Sequence, residues 1–214
     1  MVFAKVHMIK IQGTIPATVG VAVSGGVDSM AVLDFLRRGH SVTAYWFDHG
    51  TEFGSQSLSV VANYCKQYDI TLCKGQLSRP RPAGVSSEEH WRNERYAWLR
   101  DQPDVIVTAH HLDDCVETWI WSSMHGESKL IPYRHHNVIR PFMTTHKHDL
   151  VDWAQRQSVP WVNDPSNSDL RYTRNHIRHE MMPHVLKVNP GIHKNIKKKI
   201  IERQLDDHNH PCTV

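Results

Sequence analysis

The sequence predicts an α/β fold with a mostly parallel, twisted sheet and helices on both faces. Short runs rich in Val and Ile alternate with amphipathic segments, which is typical of repeated strand–helix–strand units. At 214 residues the chain is long enough for one such unit and a small appendage. We divide it into a core of residues 1–143 and a helical, basic C-terminal extension, residues 144–214, packed on that core.

The predicted elements follow one another in this alternating order. Strands are expected where β-branched and aromatic residues form short apolar runs, near residues 19–23, 41–47, 70–73 and 104–109. Helices are expected where apolar residues recur at helical spacing, at residues 27–38, 56–68, 86–100 and 113–125. Prolines and glycines predict loops at 78–84 and 126–141, the second as a mobile segment over the site. The extension is expected to contain helices at 144–158, at 172–181 before Pro183, and at 192–205.

Composition excludes several classes of protein. Hydrophobic residues make up 40% of the chain and charged residues 22%, and no 18-residue apolar run or basic-then-apolar leader is present. We therefore expect a cytoplasmic protein with no membrane partner. Its four cysteines are scattered without a Cys-x-x-Cys pair: Cys65, Cys73, Cys115 and Cys212. This pattern argues against a zinc ribbon, an iron–sulfur site or a disulfide framework, so reduced thiols are expected.

Positive charge is concentrated near the C-terminus. The net charge is +3, but residues 171–203 hold nine Lys or Arg against two Glu. Such a stretch is either a solvated helix face or a surface for a polyanion. The nucleotide chemistry predicted below favours the polyanion.

The segment Ser24-Gly-Gly-Val-Asp-Ser29 follows a buried strand and opens a helix. Gly25 and Gly26 can adopt positive φ and bring backbone N–H groups close to an anion, at the positive end of the helix dipole. The two serines add hydroxyl donors, and Asp28 adds a carboxylate able to hold Mg²⁺. The alternative is a turn that uses glycine for geometry alone. A Gly-x-x-x-x-Gly-Lys loop does not occur, so γ-phosphate transfer of the P-loop kind has no support.

The segment His110-His-Leu-Asp-Asp-Cys-Val-Glu117 follows the fourth predicted strand. Asp113, Asp114 and Glu117 can share one helix face as a site for Mg²⁺ or an ammonium group. Capping of the helix by an acid is the alternative. Zinc on the two histidines is a weak interpretation, since neighbouring residues of an extended segment point apart.

Parallel strands end at one edge of a sheet, where ligands of such folds bind. We expect the Ser24 loop, Phe47-Asp-His-Gly50 and Thr108–Asp114 to meet there in one crevice. Arg174 and Arg178 are four residues apart, so they face the same way and repel unless an anion lies between them. They form either a clamp on ATP or tRNA phosphates or a solvent-facing basic helix.

Arg92 and Arg95 are a similar pair, three residues apart on a predicted helix. Three acids are near enough in sequence to neutralise them, namely Glu88, Glu89 and Glu94.

The six-residue loop resembles the pyrophosphate-binding loop of the N-type ATP pyrophosphatases. Taken together, the motifs resemble those of the tRNA(Ile)-lysidine synthetase family over roughly residues 19–190. The segments that carry this resemblance are Ser24–Ser29, Asp48–Gly50, Arg92–Tyr96, Ala109–Thr118, Ile139–Pro141, Asn163–Asn167 and Arg174–Arg178. Members of this family use ATP and free L-lysine to convert the wobble cytidine of an isoleucine tRNA with a CAU anticodon into lysidine.

The resemblance implies roles for particular residues. Asp28, Asp113, Asp114 and Glu117 are the implied catalytic residues, with Asp28 and Asp113 on Mg²⁺ and with Asp114 and Glu117 on lysine. The implied ATP-binding residues are Ser24, Gly25, Gly26, Val27, Asp28, Ser29, Asp48, His110 and Arg174. The implied tRNA-binding residues are Arg92, Arg171, Arg178, Lys197, Lys198 and Lys199.

Two departures from the family pattern stand out. Cys115 occupies a position where the family motif has glutamine, and the C-terminal domains of bacterial members have no counterpart in this chain. The second departure is compatible with a minimal enzyme, with a catalytic domain cut from a longer chain and with a homodimer. Two alternatives stay open: a tRNA thiolation enzyme of the same superfamily, and a domain that binds tRNA or nucleotide without turnover.

Overall fold

A six-stranded sheet forms the centre of the protein in a computed structural model that describes residues 8–209. The strand order is β3-β2-β1-β4-β6-β5, with all neighbours parallel except the β5–β6 hairpin. The strands are β1 (Thr18–Val23), β2 (Ser41–Asp48), β3 (Thr71–Gln76), β4 (Ile106–Val107), β5 (Arg134–His135) and β6 (Val138–Ile139). The predicted α/β class with a mostly parallel sheet is confirmed.

Helices connect and cover the strands. They are α1 (Val27–Arg37), α2 (Gly54–Gln67), α3 (Ser87–Arg100), α4 (Leu112–Met124), α5 (Lys147–Arg156), α6 (Thr173–His176), α7 (Met182–Val188) and α8 (Ile192–Asn209). A 3₁₀ turn, Pro165–Ser168, precedes α6, and a π-helical segment, Ile177–Met181, joins α6 to α7. None of the helices within residues 8–209 has both the length and the apolar character needed to cross a membrane.

Alternate residues of the strands enter different apolar clusters, as expected for a sheet with two covered faces. Val21 of β1 belongs to a cluster with α1, α2 and α5, whereas Tyr45 of β2 packs with Leu99 of α3. Leu150 of α5 belongs to the same cluster as β1, so the extension shares the core's hydrophobic interior. The boundary that we placed between residues 143 and 144 stays a prediction.

Asp34 holds α1 to two other helices. Its carboxylate is 1% exposed and accepts hydrogen bonds from Tyr64 Oη of α2 (2.5 Å), Trp153 Nε1 of α5 (2.9 Å) and the guanidinium groups of Arg37 (2.6 Å) and Arg38 (3.0 Å). Burial acts to raise the pKa of Asp34, but these hydrogen bonds outweigh it and keep that pKa below its usual value. We call this group the Asp34 cluster.

Two predicted segments differ in the structure. Residues 126–141 contain the β5–β6 hairpin, and β6 extends the parallel sheet beside β4. The prediction of an irregular segment was wrong there because a strand of two residues carries too little periodicity to be recognised. The helix predicted to end before Pro183 also continues: the π-helical segment widens the turn, and Pro183 lies in the first turn of α7, where proline is tolerated.

The last helix docks on the core through one face. Ile192, Ile196 and Ile200 are buried in a cluster with Leu112 and Val116 of α4. One face of α8 is therefore apolar and docked, and Lys198 and Lys199 lie on its exposed surface.

Candidate active site

A cavity of about 450 Å³ lies where the strand order reverses between β1 and β4. Three segments that we expected in one crevice contribute to it. Its lining includes Ser24, Asp28 and Ser29 from the loop after β1, Phe47 and His49 from the end of β2, and Thr108, Ala109, His110 and Asp114 from the end of β4 and the start of α4. This is the usual ligand position in an open parallel sheet. We call it the first cavity.

The Ser24 loop is held in shape by its own hydroxyl groups. Ser29 Oγ accepts from Ser24 N (3.1 Å) and donates to Gly26 O (2.9 Å). Gly25 has a φ of +78°, and a Cβ there would lie 2.9 Å from Ser57 Oγ. Gly26 has an ordinary negative φ of −75° and caps α1 without a side-chain hydrogen bond. The first N–H groups of α1 therefore have no side-chain cap, which suits an anion.

Asp28 has an unsatisfied oxygen in this loop. Its Oδ1 atom is buried and has no hydrogen-bond partner. Its Oδ2 atom lies 3.6 Å from His111 Nε2 and 3.9 Å from Lys147 Nζ. A buried, unpartnered carboxylate oxygen beside an uncapped helix terminus suits a divalent cation with oxygen ligands.

His111 begins α4 and is 1% exposed. Its Nδ1 atom accepts from Asp114 N (3.3 Å), while Asp114 Oδ2 accepts from His111 N (3.0 Å), so the two residues cap the helix reciprocally. Burial acts to lower the pKa of His111, but the carboxylates of Asp114, Asp28 and Asp113 outweigh it and raise that pKa. Capping of the helix by an acid, the alternative to a cation site, is thus present for Asp114, and it also involves His111.

Two carboxylates of α4 and two arginines form an acid–arginine cluster, with Arg174 in α6 and Arg178 in the π-helical segment that follows it. Glu117 accepts from Arg178 Nε (2.7 Å) and from Arg174 Nε (3.1 Å). Asp114 Oδ1 contacts Arg174 Nη2 and lies 3.4 Å from Arg178 Nη2. Burial acts to raise the pKa of Asp114, but His111 and Arg174 outweigh it and lower that pKa. The anion between the arginines is therefore the protein's own pair of carboxylates, and the predicted ATP, lysine and tRNA contacts of these four residues stay predictions.

A second cavity, of about 800 Å³, lies beside the first. Three residues line both cavities: Glu88, His110 and Arg174. The second cavity also carries aromatic rings and cations, namely Tyr96, Trp121, Arg92, Arg100, Lys129 and Arg140. Aromatic faces beside guanidinium groups are the surface that stacks nucleobases and binds phosphate.

We predicted no ligand contact for two of the arginines that line these cavities. Arg95 lines the first cavity and Arg140 the second, and within residues 8–209 no ion pair joins either to a carboxylate. Burial lowers the pKa of Arg95. The acids that we expected to neutralise Arg92 and Arg95 do not do so: Glu94 instead lies 3.8 Å from Arg79 Nε. Arg95 could have been recognised by its helical spacing from Trp91 and Trp98, which line the same cavity.

Two predicted ligands of ATP and metal have other partners. Asp48 does not line the first cavity, and its Oδ1 atom accepts from Gly50 N (2.8 Å) in the turn after β2. Asp113 does not line it either; Oδ2 accepts from Lys147 N (2.8 Å), and His111 lies between Asp113 and Asp28. The roles of Asp48 on ATP and of Asp113 on Mg²⁺ stay predictions.

The predicted tRNA-binding residues differ in their exposure. Arg92, Lys198 and Lys199 are exposed. Arg171 is also exposed, but it forms an ion pair with Asp169 (2.7 Å). Lys197 is less exposed, because its Nζ atom donates to the carbonyl of Thr144 (2.9 Å) on the docked side of α8, and its role on tRNA stays a prediction.

Two histidines of the first cavity are held neutral. Burial lowers the pKa of His110 to about 3 and the pKa of His49 to about 4. His110 Nδ1 lies 2.8 Å from Thr108 Oγ1, which fixes the ring between the two cavities. A neutral imidazole at this position can donate or accept a hydrogen bond without adding charge.

Cys115 is fully buried among apolar side chains of α4 and α8, and burial raises the pKa of its thiol. A thiol in such surroundings is not reactive. Cys115 therefore gives no support to sulfur transfer. Cys212 lies outside the described residues.

Comparison with known proteins agrees with this geometry. Residues 5–185 match the model of the PP-loop domain family. A tRNA(Ile)-lysidine synthase from Thermotoga sp. is 32% identical over 190 residues, covering 80% of this chain and 46% of that protein. One from Lactiplantibacillus plantarum is 30% identical over 198 residues, covering 84% and 44%. The chain thus spans less than half the length of these curated relatives.

A solved structure shares the fold. NH3-dependent NAD synthetase from Campylobacter jejuni superposes with a TM-score of 0.51 at 12% identity, covering 88% of this chain and 86% of that one. The matched family model covers most of the chain, including the Ser24 loop, both cavities and the acid–arginine cluster. The chain therefore belongs to the PP-loop domain family, whose members use ATP.

Proposed function

We propose that this chain carries the catalytic centre of a tRNA(Ile)-lysidine synthetase. In this reaction ATP activates the wobble cytidine of an isoleucine tRNA with a CAU anticodon, and lysine then replaces AMP. The observation that carries the proposal is the junction of two cavities at Glu88, His110 and Arg174. One cavity is built around the Ser24 loop. The other presents aromatic rings and three arginines that form no ion pair within residues 8–209, namely Arg92, Arg100 and Arg140. Two large substrates could meet at that junction.

ATP would occupy the first cavity with its β- and γ-phosphates at the Ser24 loop. The uncapped N–H groups of α1 and the hydroxyl of Ser24 would bind the departing pyrophosphate. Asp28 would hold Mg²⁺ through its unpartnered oxygen. That ion would neutralise charge on the phosphates. Arg95 supplies a cation in the same cavity, positioned to stabilise a phosphoryl transition state.

The base would enter from the second cavity. The carbonyl oxygen at carbon 2 of cytidine attacks the α-phosphorus, which forms an oxygen–phosphorus bond and breaks the bond to pyrophosphate. The lysine ε-amine then forms a bond to carbon 2, and AMP leaves with the oxygen. Arg140 and Tyr96, which lie 3.3 Å apart at Nη2 and Oη, offer a cation and a ring for the nucleotide. Neither step requires a nucleophile from the protein, so positioning and electrostatics supply the catalysis.

Lysine would bind at the acid–arginine cluster. Its ammonium group would share the carboxylates of Asp114 and Glu117 with Arg174 and Arg178. Attack requires the neutral amine, and neighbouring guanidinium groups disfavour the charged form. The same arginines that compete for the carboxylates would therefore help to release the proton from lysine.

The rest of the tRNA would lie on exposed cations. Lys198 and Lys199 of α8 and Arg92 of α3 are the candidates. The cytoplasmic location, the homodimer and the roles of Arg171 and Arg178 on tRNA stay predictions.

Mass spectrometry of tRNA tests this function. The protein is incubated with ATP, labelled L-lysine and two isoleucine tRNA transcripts that differ only in the wobble base, cytidine or uridine. We expect label in the cytidine transcript alone, together with one AMP for each lysine incorporated. Incorporation of sulfur instead of lysine would favour thiolation. Binding of tRNA without AMP formation would favour the non-catalytic domain.

A further inference from the structure

Three side chains that serve no step of the proposed reaction converge beside α4. They are Asp113 in the first turn of α4, His146 immediately before α5, and His193 in the first turn of α8. One ligand atom from each lies within 4.8 Å of the others, and all three side chains are half-buried. These residues are far apart in sequence, so only the packing of three helices brings them together.

The donor set selects a particular class of metal. Two imidazoles and one carboxylate are typical ligands of Zn²⁺ and related divalent transition metals, whereas Mg²⁺ prefers oxygen alone. Asp113 Oδ1 lies 3.3 Å from His193 Nε2. Ligands bound at 2.0–2.2 Å in a tetrahedral site are separated by about 3.4 Å. This pair is therefore already at the separation that such an ion requires.

The remaining contacts leave the ligand atoms available. His193 Nε2 is buried and has no hydrogen-bond partner, although the carboxylate is close. The other oxygen of Asp113 accepts a hydrogen bond from Lys147 N at 2.8 Å. A hydrogen bond of this kind orients a carboxylate that binds a metal. The His146 ring lies 5.4 Å from the His193 ring.

We propose that Asp113, His146 and His193 form a site for one divalent transition-metal ion of the Zn²⁺ class, with a fourth position open to solvent. The ion would link the start of α8 and the start of α5 to α4. Its role would be structural, because it would fix the basic helix on the core. It is separate from the proposed Mg²⁺ position at Asp28, since the His111 ring lies between Asp28 and Asp113.

Cobalt binding tests the site without relying on activity. The full chain is treated with a chelator, dialysed and titrated with Co²⁺ and, separately, with Zn²⁺. We expect one Co²⁺ per chain with the intense visible absorption of a tetrahedral ion, its displacement by Zn²⁺ but not by Mg²⁺, and a higher Tm with Zn²⁺. His146→Gln and His193→Gln should each weaken binding by more than the roughly 10- to 100-fold that loss of an outer-sphere partner costs.

A second histidine pair provides the matched control. His135 and His136 are neighbours on the β5–β6 hairpin, with ring centroids 4.4 Å apart. The double variant His135→Gln/His136→Gln should keep one tetrahedral Co²⁺ per chain. Absence of stoichiometric binding in the parent protein would overturn the proposal. So would tetrahedral absorption that survives both His146→Gln and His193→Gln, or that disappears in the hairpin variant.

Discussion

Buried carboxylates are paired with two arginines in two regions of this protein, and the two regions have different surroundings. In the Asp34 cluster, Tyr64 and Trp153 also donate hydrogen bonds to the carboxylate. None of the members of this cluster lines either cavity. The acid–arginine cluster has similar ion pairs, but Asp114 and Arg174 line the first cavity and Glu117 lines the second. Pairing with arginine is therefore common to both regions, and access to a cavity is the feature that differs between them. We expect that difference to separate a structural carboxylate from a ligand-binding one.

Loss of the Asp34 carboxylate should give the largest change in stability. In Asp34→Ala the guanidinium of Arg37 and the hydroxyl of Tyr64 lose a buried partner. We expect the free energy of unfolding to fall by about 3–5 kcal/mol, measured by denaturant titration. AMP formation per folded molecule should be unchanged. A loss of turnover in the folded fraction would remove the distinction between the two regions.

Asp28→Asn should have the next largest effect, on turnover and not on stability. Asp28 lies on α1 like Asp34, but in the first turn, with one oxygen unpartnered. We expect ATP-to-AMP turnover to fall by about 10²- to 10³-fold because the transition-state charge loses a metal contact. Asp34→Asn, an isosteric change on the same helix, is the matched control and should keep AMP formation. Wild-type turnover in Asp28→Asn would contradict the site.

Glu117→Gln should separate lysine from ATP. The variant keeps the shape of Glu117 but loses the charge shared by Arg174 and Arg178. We expect the KM for lysine to rise about 10- to 100-fold, as for a lost hydrogen bond between charged groups, and the KM for ATP to change little. Steady-state kinetics with each substrate varied in turn measure both. Equal increases in the two KM values would mean that Glu117 contributes to the ATP site and not to lysine binding alone.

The smallest effect is expected on the surface of α8. Lys198 and Lys199 are exposed, whereas Lys197 is held by Thr144. The double change Lys198→Ala/Lys199→Ala should flatten the salt dependence of tRNA affinity by up to about two phosphate contacts. The exposed Lys66 of α2 provides the control, since Lys66→Ala should keep the slope. If the salt dependence of tRNA affinity is unchanged in the double variant, the exposed surface of α8 does not bind tRNA.

Local features of the sequence predicted most of the fold. Val19 to Ser29 indicated a strand, a turn and a helix in the right order, because apolar runs, glycines and helical spacing act within a few residues. Because these patterns act only within a few residues, the β5–β6 hairpin was not predicted. Its strands are two residues long, and β6 is defined by pairing with β4, a contact between distant parts of the chain.

The candidate site was predictable only in part. The rule that parallel strands end at one edge was enough to expect the segments after β1, β2 and β4 together. Their individual partners were not predictable. Asp48 accepts a hydrogen bond in the turn at Gly50, and Asp113 accepts one from Lys147 N. Glu117 pairs with Arg178, which is 61 residues away in sequence.

The sequence by itself determined the α/β class, the position of the Ser24 loop between a strand and a helix, and the presence of acids and histidines at the strand ends. Periodicity, turn chemistry and motif spacing are properties of neighbouring residues, so they can be read along the chain. Only the tertiary structure decided which charged groups neutralise one another and which remain open to a ligand. That outcome depends on the packing of α4 against α6 and α8, because a buried charge takes whichever partner the fold brings within hydrogen-bond distance.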